Sequence, residues 1–261
     1  MDNFLPEIDK LKEIREFRRK NITSYPTVTV LLATQRPNDL MKILPQINSQ
    51  TLMEFSLSIG MHGFELTEEH QKLITALNAR GIQTTITTFD SNKTLGIILT
   101  SLSENCSSQY LAKMDDDDIY GPNHLQDLLD AAIDKSADLV GRAMNYIYLE
   151  AIDITVRRFA NTGVSEVELW SPWVCGGTIL VKRELAQKVG YFGEGKSGVD
   201  NYLLTGVLAA GGKIFRTFGA GYIYRRSVVG HTYNTNYAKY LIYCTDKKIG
   251  LWSDKEFGTD E

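Results

Sequence analysis

Apolar residues follow strand spacing and helix spacing in turn along the first half of the chain. Runs rich in β-branched and apolar residues at 27–32, 54–59, 83–89 and 110–114 are typical of strands. Segments with helical periodicity lie between them, at 39–48, 67–79 and 94–105. We expect Pro45 to end or kink the first of these helices, because proline lacks the amide hydrogen that a helix interior needs. The alternation predicts an α/β fold with a mostly parallel sheet, in which ligands collect at the carboxyl ends of the strands.

The second half of the chain has a less regular pattern. Helices are predicted at 123–135, 183–189 and 200–210, and the last is followed by Gly211, a residue type that favours the left-handed stop position. Strands are predicted at 139–141, 174–181, 213–218 and 222–226. Residues 146–149 and 154–159 are predicted to form a hairpin or an excursion from the main sheet. The sequence has no internal repeat or low-complexity linker, which favours one domain with two functional halves.

The first 24 residues predict an amphipathic helix. Its apolar positions recur at helical spacing, and they are Leu5, Ile8, Leu11, Ile14 and Phe17. The preferred interpretation is a helix that packs on the domain. The alternative is a helix on a membrane surface, because basic residues cluster at its end, namely Arg15, Arg18, Arg19 and Lys20.

The composition excludes several classes of function. The 28 Lys and Arg against 32 Asp and Glu leave a net charge of -4, which argues against a nucleic-acid partner. No run approaches the roughly 20 apolar residues of a membrane-spanning helix, and no secretory signal is visible, so a cytoplasmic location is expected. Cys106, Cys175 and Cys244 lie far apart, in a pattern that does not suggest a zinc site.

Four consecutive aspartates, residues 115–118, follow the predicted strand at 110–114. Most charge runs are solvated turns, but this one lies at a strand end, where α/β sheets bind ligands. Carboxylate oxygens are hard ligands suited to Mg²⁺ or Mn²⁺, so the run is a candidate metal site. An EF-hand loop that starts at Asp115 is excluded, because Tyr120 and Gln126 occupy the positions that need Gly and Glu. A phosphatase of the haloacid dehalogenase type, with Asp115 and Asp117 as nucleophile and acid, remains an alternative.

Five motifs in order resemble those of family 2 glycosyltransferases over about residues 26–233. The first is VTVLLATQRPNDL with NSQT at 48–51, and the second is YLAKMDDDDIYGPNHL, similar to the family's strand and Asp-x-Asp segment. The third is CGGTILVKR at 175–183, and the fourth is GVD at 198–200, where the family keeps its catalytic acidic residue. The last comprises GYIYRR at 221–226 and GHT at 230–232.

The resemblance implies a GT-A fold with a Rossmann-like, mostly parallel central sheet, flanking helices and a smaller acceptor-side half. Residues 1–24 are then an N-terminal helix and residues 241–261 a C-terminal tail. The domain between them, residues 25–240, divides into a nucleotide-binding half at about 25–122 and an acceptor half at about 123–240.

The resemblance also implies a metal-dependent transfer that inverts the anomeric centre. Asp117 is the first choice as ligand of Mn²⁺ or Mg²⁺, which neutralises the departing diphosphate. Asp115, Asp118 and His231 are expected to be supporting ligands of the same metal ion. Asp200 is the expected general base that removes the proton of the acceptor hydroxyl, although a simple helix cap is its alternative role.

Further residues are candidates for the donor and the acceptor. Those expected to bind the nucleotide sugar are Thr34, Arg36, Lys93, Asp116, Gly176 and Gly177. Trp173 is expected to stack on the acceptor sugar, with core packing as the alternative. The sequence departs from the family at residues 60–63, where GMHG replaces the aspartate that often holds the nucleotide. This departure weakens the prediction of which nucleotide base the donor carries.

The expected function is therefore transfer of a sugar from a nucleotide diphosphate sugar, foremost a UDP-sugar, to a hydroxyl of a glycan or cell-envelope precursor. A catalytically silent domain that binds a sugar or a nucleotide is a further alternative. A peripheral contact with the inner face of the membrane and a homo-oligomer remain open, and no nucleic-acid partner is expected.

Overall fold

A computed structural model describes residues 5–158, 168–227, 237–242 and 244–252. The helices of these residues are α1 Leu5–Asn21, α2 Pro37–Asn48, α3 Glu68–Ala79, α4 Leu95–Glu104, α5 His124–Lys135, α6 Arg183–Lys188, α7 Val199–Ala209 and α8 Ala238–Leu241. The strands are β1 Val28–Thr34, β2 Ser56–His62, β3 Gln83–Phe89, β4 Tyr110–Lys113, β5 Ile119–Tyr120, β6 Leu139–Arg142, β7 Tyr146–Leu149, β8 Ile154–Arg158, β9 Leu169–Trp170, β10 Leu180–Lys182, β11 Ile214–Thr217, β12 Tyr222–Arg226 and β13 Cys244–Ile249.

The central sheet has eight strands in the order β3-β2-β1-β4-β10-β6-β11-β9. The first four strands are all parallel, with Leu32 opposite Ile59 and Leu31 opposite Lys113. Strand β10 runs antiparallel to both of its neighbours, and β11 is again parallel to β6. The mostly parallel sheet predicted from the alternation of strands and helices is therefore confirmed, and it continues without a break through both halves of the chain.

Helices cover both faces of this sheet because its strands carry apolar side chains on both sides. One face packs Val30 and Leu32 against helices α2, α3 and α5. The other packs Leu31 and Leu111 against helices α4, α6 and α7. Side chains alternate between faces along a strand, so Lys113 shares the face of Leu111, towards α4 and α7.

Helix α2 continues through Pro45 to Asn48, so the expectation that this proline ends the helix is wrong. The proline removes one amide hydrogen, but its own carbonyl still accepts the Ser49 N–H at 3.0 Å. The flanking side chains of Leu44 and Ile47 are fully buried. Their packing against the sheet holds the helix together across the missing hydrogen bond.

The predicted strand at 174–181 is wrong over most of its length. Residues Gly176–Thr178 form a 3-10 turn, and only Leu180–Lys182 is a strand. The Cys175 carbonyl accepts both the backbone N–H and the hydroxyl of Thr178, at 3.0 and 2.7 Å. These bonds fold the backbone into a turn beside the end of β4. An extended strand would not keep residues 176–178 at this position.

A second sheet, in the order β13-β8-β7-β12-β5, lies beside the aspartate run. The predicted hairpin of residues 146–149 and 154–159 is present as the antiparallel pair β7 and β8, within the described residues up to Arg158. Strand β5 follows directly after the four aspartates and pairs with β12. The two short or exposed strands β5 and β13 were not predicted, because neither has a clear apolar alternation.

Helix α1 packs on α5 through buried ion pairs, and its Leu11 packs in an apolar cluster with Tyr146 and Phe218. Arg15 and Arg18 are almost fully buried beside Leu11, whereas Phe17 is 62% exposed, so the predicted apolar stripe is wrong at Phe17. Arg15 Nε lies 2.8 Å from Asp127 Oδ1. The packed helix, and not the membrane-surface alternative, accounts for three of the four clustered basic residues, because Arg19 also donates to Asn123 Oδ1 at 2.7 Å. No helix within the described ranges has the length and apolar character to cross a membrane.

Candidate functional site

The four aspartates form a tight bend at the carboxyl end of β4, here called the acid turn (Asp115, Asp116, Asp117 and Asp118). It leaves the sheet beside the end of β1 and returns as β5. Tyr120 closes the bend, because its hydroxyl accepts the Asp115 N–H at 2.7 Å and donates to the Gly177 carbonyl at 2.8 Å. The position expected of a ligand site in a parallel sheet is thus occupied by carboxylates.

Thr34, the last residue of β1, and Arg36 just after it hold one side of the acid turn. Arg36 forms ion pairs with Asp116 and with Asp117, the latter at 2.8 Å, and the hydroxyl of Thr34 also donates to Asp116. Burial alone would lower the pKa of Arg36, but the two carboxylates outweigh it and raise that pKa. Thr34, Arg36 and Asp116, all predicted to bind the nucleotide sugar, are therefore brought together, with their polar groups directed at one another.

Lys113 holds the other side of the acid turn. Its ammonium group lies 2.6 Å from Asp115 Oδ1, 3.1 Å from Asp200 Oδ1 and 3.1 Å from the Gly176 carbonyl oxygen. Its side chain is only 2% exposed. One buried cation therefore joins the acid turn to the start of α7, on which the predicted base Asp200 lies.

Asp118 is engaged on both of its oxygen atoms. The Tyr222 hydroxyl donates to Oδ2 at 2.6 Å, and the backbone N–H of Arg225 donates to Oδ1 at 3.0 Å. Burial first, and then the carboxylates of Asp117 and Asp115, raise the pKa of Asp118 well above its ordinary value. This aspartate ties the acid turn to strand β12, which leaves it less suited to bind a metal ion than its neighbours.

Asp115 and Asp117 remain the carboxylates nearest to solvent in the acid turn. The pKa of Asp115 is raised to about 6, because loss of solvation and the carboxylates of Asp200 and Asp117 together outweigh the lowering effect of Lys113. Three mutually repelling carboxylates with hard oxygen atoms suit a divalent cation. Among the residues that the structure describes, however, no three His, Cys, Asp or Glu side chains form a preassembled metal cluster.

Gly176 and Gly177 allow the acid turn and Asp200 to approach the backbone closely. A Cβ atom on Gly176 would overlap Asp200 Oδ2. A Cβ atom on Gly177 would lie 2.7 Å from Asp118 Oδ2 and 2.9 Å from Asp115 Oδ2. Glycine is therefore required at both positions for reasons of space, and both were among the predicted site residues.

Replacement of Gly176 by alanine should displace the Asp200 carboxylate and lower any activity that depends on it by about 100-fold, since a 1 Å misplacement costs that much. The Asp200 side chain is 31% exposed and can turn towards solvent, so we expect the fold to survive at a cost of about 1–3 kcal/mol. Steady-state kinetics together with thermal unfolding of the variant measures both effects. Unchanged kinetics would show that the carboxylate position does not matter.

The other predicted residues are Trp173, Lys93 and His231. Trp173, three residues before Gly176, is 38% exposed, as stacking on an acceptor sugar requires. Lys93 is exposed just before α4, and its backbone N–H donates to Asp90 O. His231 falls in residues 228–236, outside the described residues. At the end of β2, the buried Nε2 of His62 has no hydrogen-bond partner among the residues that the structure describes.

Sequence reasoning missed the residues that hold the acid turn in place. The role of Lys113 could have been suspected from the sequence, because it is a charged residue inside the apolar strand YLAKM. Tyr120 and Tyr222 had none, because tyrosine is common in strands and only the folded structure brings both hydroxyls to the acid turn. Their roles depend on the pairing of β5 with β12, two strands far apart in sequence.

Comparison with known proteins finds similarity in structure and not in sequence. No protein-family model matches the chain, and no curated protein matches its sequence. The chain is similar to a crystal structure of S. aureus TarS 1-349 in complex with UDP-GlcNAc, with a TM-score of 0.63, 13% identity, and coverage of 78% of this chain and 60% of that chain. A second structure of S. aureus TarS 1-349 gives a TM-score of 0.59, 13% identity, and coverage of 76% and 60%.

The chain thus spans 60% of the length of the solved structures that it matches. At this identity the similarity establishes the fold alone. It confirms the fold class predicted from the sequence: an α/β fold of the GT-A type, with an eight-stranded central sheet flanked by helices, resembling the TarS glycosyltransferase structures.

Proposed function

We propose that the chain transfers a sugar from a nucleotide diphosphate sugar, foremost a UDP-sugar, to a hydroxyl group of a glycan or cell-envelope precursor. The observation that carries the proposal is the ion-paired link between the acid turn and Asp200 through Lys113. This link sets the carboxylates that would hold a diphosphate-binding metal ion beside the carboxylate proposed to take the acceptor's proton. Similarity in fold to TarS, solved with UDP-GlcNAc, supports the same class of donor.

Asp200 serves in this proposal as the general base. Its carboxylate lies in the first turn of α7, where the helix dipole favours a negative charge. It is 31% exposed, so an acceptor hydroxyl can reach it. The carboxylate takes the proton of the hydroxyl as that oxygen attacks the anomeric carbon. A single base on the side of attack corresponds to direct displacement, which inverts the anomeric centre.

A divalent metal ion, Mn²⁺ or Mg²⁺, completes the proposed site. When bound, it neutralises the negative charge that develops on the departing diphosphate. The mutually repelling carboxylates fit such an ion, with Asp117 and then Asp115 as the preferred ligands. Asp118 and His231 are the supporting ligands predicted from the sequence.

Removal of divalent metal should abolish transfer. With excess EDTA we expect the rate to fall by at least about 100-fold, because a bound divalent ion stabilises the transition state by several kcal/mol. Added Mn²⁺ or Mg²⁺ should restore it. Full activity in EDTA would contradict metal dependence, although not sugar transfer itself.

The function is tested by incubating the protein with a panel of nucleotide sugars, Mn²⁺ and glycan acceptors. Release of nucleotide diphosphate together with a glycosylated acceptor supports transfer. Release of phosphate from phosphomonoesters would instead favour the phosphatase, with Asp115 and Asp117 as nucleophile and acid. Binding of a nucleotide sugar without turnover would favour the silent binding domain. The anomeric configuration of the product, read by NMR, tests inversion.

A further inference from the structure

Lys113 is a buried charge that links the acid turn to Asp200, but the proposed reaction assigns it no role of its own. Burial alone would lower the pKa of its ammonium group, but Asp115 and Asp200 outweigh this and raise it. A buried lysine is costly unless it is paired and its protons are accepted. Lys113 meets both conditions, because three acceptors lie within 3.1 Å of Nζ.

These three acceptors come from three separate segments. Asp115 belongs to the acid turn, Asp200 to helix α7, and the Gly176 carbonyl to the turn before β10. The ammonium group donates hydrogen bonds to Asp115 Oδ1 and to the Gly176 carbonyl, and it forms an ion pair with Asp200 Oδ1 at 3.1 Å. Because Lys113 extends from a central strand of the sheet, it gives these segments a common fixed point.

The geometry points to Lys113 as a positioning residue that fixes the Asp200 carboxylate relative to the acid turn, an inference that rests on the proposed function. Lys113 Nζ contacts Asp200 Oδ1, and the Gly176 backbone contacts the other side of the same carboxylate. The carboxylate is thereby confined between a cation and a main-chain surface. Its remaining exposed face is the one that an acceptor can approach.

Substitution Lys113→Met tests this role, because methionine is similar in length and apolar. We expect kcat to fall by at least about 50-fold with donor affinity unchanged within about threefold, since positioning affects the reaction more than ground-state binding. Lys113→Arg keeps the charge and should recover kcat to within about tenfold of the wild type. A merely structural lysine would leave kcat per folded molecule unchanged, and that result would overturn the inference.

Lys182→Met is the matched control. Lys182 lies on the neighbouring strand β10 and pairs with Asp138 at 2.9 Å, but its side chain is 41% exposed. Its removal should change neither kcat nor donor affinity. If Lys113→Met fails to fold, Lys113→Gln serves instead, because its amide keeps two N–H donors but removes the charge that pairs with Asp200.

A crystal structure of the Lys113 variant separates this inference from the proposed function. We expect the Asp200 carboxylate to move by about 1 Å or more from its wild-type position, the scale at which catalysis is affected. If the wild type transfers no sugar and Asp200 still moves, the positioning role stands and the proposed function fails. If Asp200 stays in place in the variant, the positioning role fails, whatever the activity of the wild type.

Discussion

Transfer by the Asp200→Asn variant is expected to be about 1,000-fold slower than transfer by the wild type, within the usual range for loss of a general base. Asparagine has almost the same shape but cannot accept a proton as a carboxylate does. A factor of this size corresponds to about 4 kcal/mol in the activation free energy. Steady-state kinetics at saturating donor and acceptor measures it.

Nucleotide and metal binding should survive in this variant. Asp200 lies on α7, whereas the acid turn follows β4, so the substitution leaves the carboxylates of the acid turn unchanged. Asp138→Asn is the matched control, because Asp138 also pairs with a lysine, Lys182, but on the surface. The control should keep full activity. An Asp200→Asn variant that transfers sugar at the wild-type rate would exclude Asp200 as the base.

The Asp127→Asn variant should lose about 3–5 kcal/mol of folding free energy, the cost of breaking a buried ion pair by removing one partner. Asp127 accepts from Arg15 on both oxygen atoms at 2.8 Å and from Arg142 Nη2 at 2.8 Å. The Asp127 and Arg142 side chains have no solvent exposure. The neutral amide would leave the buried Arg142 guanidinium without its carboxylate partner. Chemical denaturation measures the loss.

Asp134→Asn on the same helix is the control for this stability effect. Its side chain is 20% exposed, and its partner Arg18 keeps a second carboxylate, Glu168, at 2.8 Å. A loss below about 1 kcal/mol is therefore expected, as for surface ion pairs. Equal losses in the two variants would contradict the argument from burial.

The ion pairs of Asp127 with Arg142 and Arg15 also predict how the folding free energy depends on pH. Burial would raise the pKa of Asp127, but Arg142 and Arg15 outweigh it and lower that pKa below its ordinary value. The stabilisation is therefore fully present above the unfolded pKa of about 3.9, and it is lost as the pH falls through the lower folded pKa. The stability difference between wild type and Asp127→Asn should shrink below about pH 4. A difference that stays constant there would contradict the assignment.

The part of the fold that depends on local pattern was predictable. The first four strands and the helices between them follow from periodicity, because each buries an apolar face against its neighbours. Strand β10 was misplaced because the apolar run at 174–181 contains two glycines, which here curl into a turn. Strand β5, two residues long, depends on a partner about 100 residues away, and no local pattern reports such a pairing.

The location of the candidate site was predictable, but its internal electrostatics were not. The aspartates at a strand end and the later Asp200 identified the region. The sequence could not show that Lys113 and Arg36 already offset part of the acid turn. The local excess of negative charge is therefore smaller than the four aspartates alone suggest. A bound metal ion would add to cations that the protein itself supplies.

The central claim is that Asp200 acts as the base in transfer from a nucleotide sugar. The most direct measurement compares nucleotide diphosphate release coupled to acceptor glycosylation by wild type and Asp200→Asn, with equal donor binding verified by calorimetry. The account predicts turnover by the wild type and a loss of about 1,000-fold in the variant. Equal turnover by the two proteins, or donor binding by the wild type without transfer to any acceptor, would contradict it.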